Sequence, residues 1–370
     1  MKPIPFFLGL VIGLFSLSIV GWSIQNTPLA QSFVRFHAYN NAEAGFLTTA
    51  AELATIIDQQ PPPRAYIIVG GSSVLNGVGQ SRDLVWTRRL QNLLGKDFVV
   101  LNFANRAGGP IDFGSVAAEM LLRQHRPVIY VADANETVYA NSPRTSFYRH
   151  MLFDGWLRSY LLPWPPRDAY LRWAAFDGAE GVRNVALGEW LNSFLRFNEL
   201  WNYITFNLVG LQWNNMMTAK SFSPFRRRSD PGASPEVSRT TRYRGNNDAE
   251  LAIVAAQAGR PIERMIASAS LTEQFVPLQL RSITLVVVDL LSPYYLDLLP
   301  GSREALLARA TEQQTAMQKM GFNKAMIPSK DFTADDYADR VHLSVDGGDK
   351  MAAALAPVVR QMASDLGYLR

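Results

Sequence analysis

The chain has 370 residues, of which 48% are hydrophobic and 18% charged. That composition supports a full core and excludes the disordered, low-complexity and fibrous classes. There is no cysteine, which excludes disulfides and thiolate chemistry, and a net charge of +4 is too small to imply nucleic acid.

No charged residue stands between Lys2 and Arg35, and Ile4 to Ile24 is almost wholly apolar. As a helix, about nineteen of these residues span roughly 28 Å, close to the hydrocarbon thickness of a bilayer. Trp22 lies where an interfacial aromatic belongs. An uncleaved anchor is expected. A cleaved signal peptide is the competing reading: Gly21-Trp22-Ser23 offers small residues, but no Ala-x-Ala stands there. A buried core helix is the third. Lys2 and the amino terminus favour a body outside the cytoplasm.

Ala44 to Gln60 is helix-permissive and stops at Pro61-Pro62-Pro63. Tyr66–Val69 reads as a strand ending in Gly70-Gly71, and Asp83–Leu94 as a helix. Phe98–Phe103 is a second strand, Asp112–Arg123 a helix and Val128–Ala132 a third strand. After a long interval Ile283–Val288 is a fourth strand and Arg303–Met320 a helix. Lys324–Ile327 is a short fifth strand, and Gly347–Leu366 a closing helix. Continuously apolar strands alternating with helices imply a parallel sheet covered on both faces. The expected organisation is an anchor over 1–30 and a helical linker over 31–62. A core in two parts follows, 63–139 and 278–370, interrupted by an insertion over 140–277.

In such a sheet the chemistry lies at the C-terminal strand ends. The loop after Val69 carries Ser72 and Ser73 behind two glycines, either an open hydroxyl or a helix cap. The loop after Phe103 carries Gly108-Gly109, whose N–H groups suit an oxyanion or a plain turn. The loop after Ala132 carries Asp133-Ala134-Asn135-Glu136, where Asn135 offers an amide donor or turn chemistry. A serine nucleophile needs a base, and the base an orienting carboxylate. Only His342 has an acid three residues earlier, Asp339, and it falls between the last strand and the last helix. His125 sits between Arg123 and Arg126 at a helix end, where capping is expected. His150 lies in the insertion and His37 beside the anchor.

These blocks, in this order, resemble the SGNH (GDSL-type) hydrolase family. Gly71-Ser72-Ser73-Val74-Leu75-Asn76-Gly77 resembles its first block, with Ser73 in the nucleophile's place and Ser72 where the family usually has Asp. Asn102-Phe103 with Gly108 or Gly109 resembles the second block. Asp133-Ala134-Asn135-Glu136 resembles the third, with Asp133 in place of the leading Gly. Asp339-Arg340-Val341-His342-Leu343-Ser344 and Gly347 resemble the last. The resemblance implies a three-layer α/β/α, flavodoxin-like fold. It also implies a Ser73–His342–Asp339 triad, with an oxyanion hole of the Ser73 N–H, Gly108 or Gly109, and Asn135. No cofactor or metal is implied.

Residues 140–225 hold 18 of the 41 aromatics and six of the eight tryptophans. Their spacing of three and four suggests amphipathic helices, either a packed subdomain or a surface resting on the membrane or a partner. Arg226-Arg227-Arg228, Arg239, Arg242 and Arg244 follow, as a solvated loop or a contact for head groups or an anionic glycan. Anchor, core and insert together resemble the accessory proteins of envelope O-acylation systems, which work beside a polytopic O-acyltransferase. The expectation is a membrane-anchored extracytoplasmic serine esterase or O-acyltransferase. It would take an acyl ester donor and a glycan or lipid acceptor, and no nucleic acid. A non-catalytic scaffold subunit of a membrane complex is the alternative.

Overall fold

The computed structural model describes residues 3–26, 62–80, 84–104, 113–134, 248–258, 276 and 278–369. The chain divides into two compact units, with the N-terminal helix in one and the sheet in the other. Helix α1 covers Pro3–Asn26. Its Ile4–Ser23 stretch is long and apolar enough to cross a membrane. Phe6, Phe7, Phe15 and Trp22 are all exposed on it, as lipid-facing side chains would be.

The second unit is built on five parallel strands in the order β2-β1-β3-β4-β5. They are β1 (Ala65–Val69), β2 (Phe98–Asn102), β3 (Val128–Ala134), β4 (Thr284–Val288) and β5 (Lys324–Met326). Every residue of β1 and β4 is buried, which is why these segments are apolar without alternation. The chain leaves β1 for β2 at one side, then returns to place β3 at the other. The crevice between β1 and β3 is therefore a topological switch point, where doubly wound sheets hold their ligands.

Helices cover both faces. On one face α3 (Trp86–Leu94) and the closing helix, here α9 (Val345–Asp365), form one layer. Trp86, Leu90, Met351, Leu355 and Val359 pack there against Ile67, Val69, Val100, Ile129, Val131 and Leu285. Strand residues of the opposite parity point to the other face, where α4 (Phe113–Arg123) lies against β1 and β3. Helix α8 (Ser302–Lys319) packs on β4 and β5. Helix α5 (Asp248–Ala258), within the interval 140–277, packs on α7 (Pro293–Leu296) and α8, with Val254 against Tyr295 and Leu296. The expected helix over 44–60 and the aromatic stretch 140–225 lie outside the described residues.

Where element ends differ from expectation, side chains account for it. Helix α3 begins at Trp86 rather than Asp83 because Gln80 Oε1 accepts the Trp86 N–H at 2.8 Å, serving the first orphan donor from an earlier turn. Strand β3 runs on to Ala134, since Asp133 and Ala134 pair with Val287 and Val288. Helix α9 begins at Val345 because Ser344 caps it, accepting from Gly347 N. After α4, His125 takes a left-handed φ of 56°. Its N–H goes to Leu122 O and that of Arg126 to Leu121 O, so the backbone itself closes that helix. Helices α2 (Ser73–Asn76) and α6 (Leu278–Arg281) are single turns, too short for periodicity to reveal.

Trp86 is fully buried, and its Nε1–H donates to Leu75 O at 3.0 Å, so it ties the α3 layer to α2. Trp86→Ala is expected to cost about 3–5 kcal/mol, measured by denaturant titration of the full chain in detergent.

Candidate active site

Ser73 lies three residues beyond Gly70, where β1 ends and α2 begins. Ser72 is the cap: its backbone is extended and its Oγ accepts the Val74 N–H at 3.2 Å. Ser73 is thereby free of capping and half-buried at the rim. Two buried polar side chains pin the turn from below. Asn76 Nδ2 donates to Ala104 O at 2.7 Å, and Asn102 Nδ2 to Leu75 O at 3.0 Å. Asn102 Oδ1 accepts the Ala104 N–H at 3.0 Å, closing the link between the ends of β1 and β2. With Trp86 Nε1, these bonds satisfy backbone groups that a short buried turn leaves open.

His342 lies between β5 and α9, in a loop fixed at several points. Ala338 N donates to His342 O at 2.8 Å, Ser344 N to Asp336 O at 2.9 Å, and Ser292 N to Arg340 O at 2.8 Å. Asp336 closes a capping box with Thr333 around a 3-10 turn at Ala334–Asp336, and also takes Lys350 Nζ at 2.7 Å. The loop meets the serine turn at Gly79, whose φ is +92°. A Cβ there would stand 2.9 Å from Ala338 Cβ and 3.0 Å from Leu343 O, so only glycine admits the approach.

The two segments bring one relay together. Ser73 Oγ lies 2.8 Å from His342 Nε2, and His342 Nδ1 lies 2.6 Å from Asp339 Oδ2. Asp339 Oδ1 accepts the Val341 and His342 N–H groups, each at 2.8 Å. With Asp339 accepting at Nδ1, the neutral ring carries its proton there. Its Nε2 lone pair is then left to accept the serine Oγ–H. Burial acts to raise the Asp339 carboxyl. The hydrogen bonds and charge of His342 outweigh burial and, with the backbone N–H groups, hold the carboxyl below its ordinary range. The His342 and Asp339 side chains are 18% and 38% exposed, so the relay is open to solvent from one side.

Of the expected site residues, Ser73, His342 and Asp339 meet in this way. Gly108, Gly109 and Asn135 lie outside the described residues, as do His37 and His150. Among the described residues no group of three or more His, Asp or Glu side chains gathers to hold a metal ion. Sequence reasoning missed Gln80, which joins α3 to the loop of His342 through Trp86 N and, at 3.5 Å, Leu343 O. It also missed Asp289, although the strand-end rule applied to β4 leads directly to it. No family model, curated protein or solved structure matches the chain.

Asp339 ionises more readily folded than unfolded. Its stabilising contribution is therefore present above the unfolded value, about 3.9, and is lost as pH falls through the folded one. Asp339→Asn is accordingly expected to lower the melting temperature at neutral pH. That deficit should shrink once melts are recorded below the ordinary aspartate value.

Proposed function

We propose that this chain is a membrane-anchored serine esterase or O-acyltransferase of the SGNH type, working outside the cytoplasm on a cell-envelope glycan or lipid. The observation that carries the reading is the Ser73–His342–Asp339 relay, which joins Ser73 to His342, 269 positions away, at 2.8 Å and His342 to Asp339 at 2.6 Å. Serine, imidazole and carboxylate in that order are the parts of acyl transfer. The setting supports the same reading: a doubly wound parallel sheet, with the serine at the C-terminal end of β1 beside the switch point. The four sequence blocks add the family resemblance, and α1 adds an anchor long enough for a bilayer.

In this mechanism Ser73 Oγ attacks the ester carbonyl carbon and passes its proton to His342 Nε2. The alcohol departs with that proton, leaving an acyl-serine. Water or a sugar hydroxyl then gives its proton to Nε2 and attacks the acyl carbon. Ser73 Oγ leaves and recovers the proton. Asp339 holds the ring and balances the imidazolium at both steps. The oxyanion falls to the Ser73 N–H, to Gly108 or Gly109, and to Asn135, each donor contributing about 3 kcal/mol. The acceptor, water or glycan, decides between hydrolase and transferase.

A fluorophosphonate probe is expected to label the full chain in detergent at Ser73. Ser73→Ala should abolish the label, and Asp339→Asn should slow labelling by roughly 10²- to 10⁴-fold. Labelling that survives Ser73→Ala removes the proposal. The chain should also sediment with membranes after alkaline carbonate washing, and a variant lacking residues 1–30 should not. Equal sedimentation of both would place membrane attachment elsewhere.

A further inference from the structure

The two departures from the family pattern, Ser72 and Asp133, touch each other. The Asp133 carboxylate accepts the Ser72 N–H, at 3.0 Å through Oδ1 and 3.1 Å through Oδ2, and also accepts the Ser72 Oγ–H. It is fully buried at the end of β3, in the β1/β3 crevice. Gly71, at φ +104°, makes room for it: a Cβ there would collide with Asp133 Oδ1 and stand 2.9 Å from its Cγ.

A second carboxyl lies behind the first. Asp289, just past β4, is within hydrogen-bonding reach of Asp133. Its Oδ2 is buried and accepts no hydrogen bond. Among the described residues no Lys or Arg pairs with either carboxyl. Asp289 is half-buried, with its Oδ2 covered, and two carboxylates in contact with no cation beside them among the described residues resist joint ionisation, a conflict that one proton between them removes. Burial pushes both above the ordinary aspartate range, and the Asp133 charge pushes Asp289 further. Asp133 already accepts the Ser72 N–H and Oγ–H, whereas Asp289 Oδ2 accepts nothing, which puts the shared proton on the Asp289 side. Among the described residues, a further titratable group beside Asp289 is Tyr337, a phenol that donates to Leu290 O at 3.0 Å. Burial pushes Tyr337 well up, and the charge of Asp336 adds to it, so it stays neutral.

We propose that Asp133 is a positioning residue for the nucleophile: its carboxylate, hydrogen-bonded by a protonated Asp289, fixes Ser72 and through it the turn that aims Ser73 at His342. Asp289 donates to Asp133, and Asp133 accepts both Ser72 donors. Ser72 Oγ, having given its hydrogen to Asp133, still has a lone pair for the Val74 N–H. The chain of bonds from β4 to the α2 cap is complete only with one proton in the pair.

This rests on Ser73 being the nucleophile, so the test has one readout that needs no reactivity. Hydrogen exchange of the peptide spanning residues 71–78 is followed in the full chain, alongside the fluorophosphonate labelling rate and its half-saturation. Asp133→Asn keeps the shape but loses one acceptor. It is expected to speed exchange in that peptide and to slow maximal labelling about 10- to 100-fold, with half-saturation little changed. Asp289→Asn keeps a donor toward Asp133, and its labelling is expected to stay within about threefold of wild type. Infrared difference spectra at neutral pH should show a buried protonated carboxyl that Asp289→Asn removes and Ser73→Ala retains. If wild type fails to label while exchange and spectra behave as stated, the enzyme reading falls and the positioning pair stands. If folded Asp133→Asn exchanges and labels like wild type, or no protonated carboxyl is seen, the inference is overturned.

Discussion

One hydrogen bond, from Ser73 Oγ to His342 Nε2, closes the architecture. Strands β1 and β5 are separated by β3 and β4 in the sheet, so a residue following β5 does not reach the end of β1 by strand adjacency. The closing helix makes up the distance. Helix α9 lies beside α3 and against β3, burying Met351, Leu355 and Val359 there. Its N-terminus therefore arrives near the end of β1, with His342 three residues before it. The apolar contact of α9 with α3 is what delivers His342 to Ser73. A contact between residues 269 positions apart thus depends on helix packing far from the rim.

The rim itself is made rigid by polar bonds. Above the apolar layer, Asn76, Asn102, Gln80 and Ser72 are all buried and each bonds a backbone group. Such groups cost free energy when unpaired and narrow the conformations available when paired. They hold the serine turn from the sheet side, while the ties on Ala338, Arg340 and Ser344 hold the histidine loop from the other. Neither segment relies on its own short helix for order.

Much of this was legible in the sequence for reasons that can be named. The strands are unbroken apolar runs because both faces are covered, and their centres fall where that rule puts them. Asp339 and His342 were visible because a carboxylate three residues before an imidazole is a local pattern, and Ser73 because glycines precede it at a strand end. The strand order and the placement of α9 were not legible, since both depend on which apolar faces meet over long separations. Nor was the function of Asp133. As a polar residue ending an apolar strand it resembled a loop beginning, yet its backbone stays in the ladder while its carboxyl serves Ser72, 61 residues away. Helix α3 was placed three residues too early because its first N–H is served by Gln80 instead of a local cap.

The central claim is that Ser73, His342 and Asp339 act as one relay rather than as three neighbours. A mutant cycle tests it most directly, using fluorophosphonate labelling rates for wild type, His342→Ala, Asp339→Asn and the double variant, each checked for folding. A residue that acts only through the histidine adds nothing once the histidine is gone. The account predicts that the double variant labels as slowly as His342→Ala alone. Losses that multiply in the double variant would contradict it.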